Sequence, residues 1–150
     1  LVQAVTEDLH AQGSPAVVVS GISLGGWVTT LHQTAYDSAE LYAPIFAGDR
    51  LGEMFIASAY RRMTGDLARL NPETLTEVLD YREDYAEVES PPRPLLARYD
   101  RIIEYAVQQP AFDDEFQDVI DYGHVTGSMQ AERLRQHVVD AMIEAPGRDG

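Results

Sequence analysis

Between the short apolar run Ala16-Val17-Val18-Val19 and a helical pattern from Leu24 to about Tyr36 stands Gly21-Ile22-Ser23-Leu24-Gly25. The run is too short for a helix, and Gln12-Gly13-Ser14-Pro15 bounds it upstream, so it predicts a parallel strand buried on both faces. A strand that passes at once into a helix needs a tight turn, and Ser23 lies at its tip. Glycine at both ends lets strand and helix approach; a side chain at Gly21 or Gly25 is expected to collide. Gly26 adds clearance. A serine hydroxyl is a weak nucleophile and must be presented openly to a base and a substrate. The following helix aims the backbone N–H of Leu24 at the place where an oxyanion would develop. The same turn could cradle a phosphate, but the chain has neither GxGxxG spacing nor a Lys-Ser/Thr pair.

The pattern on either side of this turn alternates between helix and strand. Val2 to Leu9 predicts a short helix with Val2, Val5 and Leu9 on one side. Further strands are expected at Glu40–Ala43, Leu95–Arg98 and Phe116–Ile120, with Pro44 tolerable at a strand end. From 49 to 89 the chain reads helical, broken at Gly65 and restarted by Asn71-Pro72, where Pro suits the first helical position. Ile102–Gln109 is expected as helix, interrupted at Pro110. Ser128 is expected to cap a terminal helix carrying Leu134, Val138, Val139 and Met142. Alternation of this kind predicts one α/β domain over 1–150, a parallel sheet of about four strands with helices on both faces.

Composition narrows the class of chemistry. At 150 residues, 45% hydrophobic and 24% charged, the chain is long enough for one cored domain. It has no cysteine, which excludes disulfides, thiolate metal sites and cysteine nucleophiles. No apolar run approaches the roughly 20 residues of a membrane span. Without a charged-then-apolar leader, a cytoplasmic location is expected. Twenty-five acids oppose eleven bases, all of them arginine, for a net charge of −14. That balance opposes nucleic acid and anionic membranes, and it matches the lysine-poor acidic surfaces that stay hydrated in high salt. The acidic clusters Glu83-Asp84 and Asp113-Asp114-Glu115 read as solvated faces. They lack the histidine spacing of a metal site.

Three stretches, Val17–Trp27, Leu95–Arg101 and Tyr122–Gly127, resemble the α/β-hydrolase superfamily, in the chain order serine, aspartate, histidine. The resemblance implies the C-terminal half of that fold, with the four strands as the last four of an eight-strand sheet. It makes Ser23 the nucleophile, Asp100 in Arg98-Tyr99-Asp100-Arg101 the acid, and His124 in Gly123-His124-Val125 the base. Asp49, in Ala47-Gly48-Asp49-Arg50, stands where some members carry the acid instead. Asp121 is expected on its strand in a structural role, and His10, His32 and His137 lack a catalytic context. The segment 49–89 lies where the family inserts a helical cap. Met54, Phe55, Ile56, Tyr60 and Met63 would face the pocket there, or else pack an ordinary crossover.

The implied activity is cleavage of a carboxylic ester, thioester or amide of a small-molecule acyl substrate, without cofactor or metal. An acyltransferase with the same residues and a non-catalytic binding domain are the alternatives. The family draws its second oxyanion donor from a loop well upstream of the elbow, and only about twenty residues precede Ser23. A preceding N-terminal half of the same protein is therefore expected.

Overall fold

The computed structural model describes residues 1–62, 64–66 and 70–147. In chain order the elements are α1 (Val2–Ala11), β1 (Val18–Ile22), α2 (Leu24–Tyr36), β2 (Leu41–Ile45) and α3 (Leu51–Ala57). A 3₁₀ turn (Ala59–Arg62), α4 (Pro72–Leu79), α5 (Arg82–Tyr85) and β3 (Leu95–Ala97) follow. The chain continues through α6 (Tyr105–Gln108), a 3₁₀ turn (Gln109–Ala111), β4 (Asp118–Ile120), α7 (His124–Ser128) and α8 (Ala131–Glu144). The four strands lie in the order β1-β2-β3-β4, all parallel. Each strand end therefore points the same way, and the loops that leave those ends share one edge of the sheet.

β1 begins and ends later than the apolar run suggests, because pairing and not hydrophobicity sets its limits. Its ladder with β2 runs on through Gly21↔Pro44 and Ile22↔Ile45. It is only half-buried, since it forms one edge of the sheet. β2 is buried at all five positions and includes Pro44. Tyr42, two residues earlier and so facing the same neighbour, accepts the Arg93 N–H. Pro44 therefore turns its missing N–H toward the side where β2 and β3 share only the pair Ile45↔Leu95.

Alternation along the strands sends side chains to two helical layers. Leu41, Ala43, Ile45, Leu95, Ala97 and Ile120 pack toward Leu134, Val138 and Ala141 of α8. On the other face Leu96 joins Trp27 of α2, Met54, Tyr81, Tyr85, Ile103 and Phe112. Burying a side chain such as Leu95 stabilises by roughly 1.5–3 kcal/mol. Exposed ion pairs such as Arg135–Glu132 contribute about 0–1 kcal/mol each, so apolar packing carries the fold.

Several local expectations are corrected by the tertiary structure. Thr6, not Val5, faces inward from α1. Ser128 does not cap the terminal helix: it ends α7, donating to the His124 carbonyl, and α8 starts after Gln130. The helix expected from Ile102 starts only at Tyr105; in the turn before it Asp100 Oδ1 accepts the N–H groups of Ile102 and Ile103. Met54, Phe55 and Tyr60 pack against the Trp27 cluster; Met63 lies outside the described residues.

Gly26, not Gly25, is where helix and sheet meet. A Cβ at Gly26 would stand 2.7 Å from the Ala47 Cβ and the Ile45 oxygen, while one at Gly25 would meet nothing within 4 Å. Overpacking costs about 1–3 kcal/mol, whereas alanine gains up to about 1 kcal/mol over glycine in a helix. Gly26→Ala should thus lower the urea midpoint by the equivalent of about 1–2 kcal/mol, and Gly25→Ala should leave it unchanged or raise it.

Two buried histidines set a pH dependence. His32 bonds Tyr42 through Nδ1 and Gln3 Oε1 through Nε2, and the Tyr42 hydroxyl oxygen already accepts two N–H groups, of Ser38 and Ala39. Tyr42 must therefore donate to Nδ1, which leaves no acceptor for a second ring proton. Burial lowers the pKa of His32, and that of His137 too, against the pull of Asp118. Below about pH 6.5 the unfolded chain binds protons that these folded rings refuse, so their contribution to stability falls as pH drops through that value. Denaturation midpoints measured from pH 7.5 to 5.5 should decline less steeply in His32→Asn than in the unaltered protein.

Candidate active site

β1 delivers Ser23 to the edge of the sheet in a conformation that non-glycine residues avoid, with φ 55 and ψ −112. Two backbone bonds hold it there. The Ser23 N–H donates to the Ile45 oxygen at 2.8 Å, and the Ser23 carbonyl accepts the Trp27 N–H at 3.0 Å, opening α2. Gly21 is required at the foot of the turn, for a Cβ there would stand 2.5 Å from the Gly25 carbonyl carbon and oxygen. Leu24 is the first residue of α2, so its N–H is one of those without an intrahelical acceptor.

β4 ends at Ile120, and Gly123 leads into α7, whose first residue is His124. The turn is tied by Thr126, whose Oγ1 accepts the Gly123 N–H, and by the Gly127 N–H on the Gly123 oxygen. This places the His124 ring between two partners. Nε2 lies 2.9 Å from Ser23 Oγ, and Nδ1 lies 2.7 Å from Asp100 Oδ2. The carboxylate can only accept, so Nδ1 carries the proton and Nε2 presents its lone pair to the Ser23 hydroxyl. Serine and histidine are 101 residues apart in the chain.

Asp100 follows β3 and is 5% exposed. Its Oδ1 accepts the Ile102 and Ile103 N–H groups, each at 2.8 Å, leaving Oδ2 for His124. Three donors fix the carboxylate in place, two of them from its own turn. Arg98 and Asp121 pair at 2.8 Å at the adjoining surface, Asp121 standing just past β4.

Asp49 is equally buried but is brought to a different place. Tyr81 donates its hydroxyl to the Gly48 oxygen and its N–H to the Asp49 oxygen. The Gln108 amide clamps both backbone groups of Arg50. Residues 48–50 are thus pinned toward α4 and α6, where Asp49 Oδ1 stands 3.8 Å from Arg50 Nε. Burial raises the pKa of this carboxyl, and the Arg50 charge opposes the shift. Both ring nitrogens of His124 are already taken by Ser23 and Asp100. His10 pairs with Glu40, and His137 lies between the Arg93 oxygen and Asp118, all away from the serine.

One neighbour of the site carries no sequence signal. Phe46, just past β2, has φ 52, is 1% exposed and sets its ring 5.8 Å from that of His124. Nothing in an apolar residue after a strand announces a positive φ. Among the described residues there is no group of three or more His, Cys, Asp or Glu placed to hold a metal, and no helix is long and apolar enough to cross a membrane.

No family model matches the sequence, and no curated protein matches it. Solved structures do resemble the chain in three dimensions. The enol-lactonase of Burkholderia xenovorans LB400 superposes with a TM-score of 0.60 at 15% identity, over 95% of this chain and 73% of that one. The acylaminoacyl peptidase of Pyrococcus horikoshii gives 0.70 at 13% identity, over 99% of this chain and 27% of the other. An alpha/beta hydrolase enzyme from the sediment metagenome of the Mar Chica lagoon, Morocco, gives 0.57 at 15% identity, over 92% and 66%. Parallel strand order, a strained serine between strand and helix, and these superpositions agree: the chain has the α/β-hydrolase fold.

Proposed function

We propose that the protein is a serine hydrolase that cleaves a carboxylic ester, thioester or amide through an acyl-enzyme on Ser23. The observation that carries this reading is the unbroken relay from Ser23 Oγ to His124 Nε2 and from His124 Nδ1 to Asp100, at 2.9 and 2.7 Å. As Oγ attacks a carbonyl carbon, its proton passes to Nε2, and the imidazolium so formed keeps its hydrogen bond to Asp100. The carbonyl oxygen becomes an oxyanion within reach of the Leu24 N–H. His124 then returns the proton to the leaving group, and water repeats the sequence to free the acid.

A single oxyanion donor is worth roughly 10²–10³ in turnover, so a second donor is part of the proposal. It would come from further chain along the open β1 edge. Ile22 on β1 and Leu24, Val28 and Leu31 on α2 present apolar side chains to solvent. The neighbours' names, a lactonase and a peptidase among them, span several acyl substrates, so the proposal stops at the acyl group.

Two measurements test it. A fluorophosphonate should label the protein, and Ser23→Ala should abolish labelling; label retained in that variant would overturn the nucleophile assignment. Asp100→Asn should slow acylation on the order of 10³–10⁴-fold by disturbing the imidazole tautomer, while Asp49→Asn should change it little. The reverse pattern would transfer the acid to Asp49.

A further inference from the structure

The Ile45–Phe46 peptide unit stands between the two halves of the site. Its carbonyl accepts the Ser23 N–H at 2.8 Å, and its N–H donates to the Leu95 oxygen at 2.8 Å. One planar group thus ties the serine turn to β3, the strand that leads to Asp100. Immediately after it, Phe46 adopts φ 52, a genuine outlier for a bulky residue. Such strain persists only where the surroundings over-determine it, and it marks functional sites more than ordinary turns.

The positive φ has a consequence for the side chain. The Phe46 ring is buried against His124, with centroids 5.8 Å apart and planes at 54°. It also abuts α7 one turn further on, where a Cβ added to Gly127 would stand 2.8 Å from Phe46 Cζ. Ile45, Leu95, Ala97 and Ile120 enclose it from the sheet. The imidazole takes one hydrogen bond at each ring nitrogen, and its tilt depends also on the two torsions that join the ring to the backbone. A flat, buried ring beside it limits those torsions. It also places an aromatic π-system near the imidazolium that acyl transfer creates.

We propose that Phe46 is a positioning residue: its ring orients His124 so that Nε2 faces Ser23, and its strained backbone is what brings the ring there. The proposal rests on the hydrolase reading above, and the experiment separates the two. Phe46→Leu keeps an apolar side chain but loses the flat ring; Phe46→Gly relieves the backbone and loses the ring. Leu134→Ala, in the same apolar cluster but on α8, serves as a control for stability loss alone.

With a chromogenic ester, kcat should fall about ten- to hundredfold in Phe46→Leu and Phe46→Gly with KM nearly unchanged. Leu134→Ala should keep kcat. Wild-type kcat in folded Phe46→Leu would overturn the proposal. A second readout needs no turnover: the His124 Nδ1 proton, assigned in NMR spectra by its loss in His124→Gln. It should be protected from exchange in the unaltered protein and in Leu134→Ala, and broadened in Phe46→Leu. Equal protection in Phe46→Leu would overturn the positioning role. Absence of Ser23-dependent turnover in the unaltered protein would count against the hydrolase reading alone.

Discussion

The hydrogen bond from the Ser23 N–H to the Ile45 oxygen is the contact on which the rest of the site depends. A residue at φ 55 and ψ −112 costs on the order of 1–3 kcal/mol, and nothing in Ser23 itself repays it. The turn exists because β1 and β2 remain paired up to Ile22↔Ile45 and the next N–H continues that ladder. Gly21 and Gly26 leave the space in which α2 can start directly from the strand. Substituting either one would disturb the serine without touching it.

Parallel strands then convert distance along the chain into proximity. Ser23 follows β1, Phe46 follows β2, Asp100 follows β3, and His124 comes soon after β4. All four strands end at one edge of the sheet, so four residues from separate parts of the chain meet there. The two apolar layers keep the edge rigid: Trp27 and its partners lie on one face and the α8 contacts on the other. A site assembled from strand ends on such a sheet inherits the stiffness of the ladder.

Buried polar groups decide which acidic residue reaches the histidine. Asp100 satisfies one oxygen with the two N–H groups of its own turn and so is left with a single oxygen to offer. Asp49 belongs to a segment that Tyr81 and Gln108 draw the other way. Neither placement follows from the acids themselves. Both follow from amide and hydroxyl groups that must be satisfied once buried.

Ser23 in its glycine turn, the strand-helix alternation and the parallel sheet were legible in the amino-acid order. Those features depend on local sterics and hydrophobic period, which neighbouring residues express directly. His124 and Asp100 were singled out by the resemblance to α/β-hydrolases, and the structure sets the His124 ring between Ser23 and Asp100 at hydrogen-bonding distance from each. Other features required the tertiary structure. The limits of β1 depend on the ladder with β2, the need for glycine at 26 and not 25 depends on where Ala47 lies, and Ser128 ends a helix instead of starting one. The departure of Asp49 and the strained turn at Phe46 likewise arise from contacts with residues distant in the chain. Local chemistry determined which residues could act; long-range hydrogen bonding and close packing decided which of them meet.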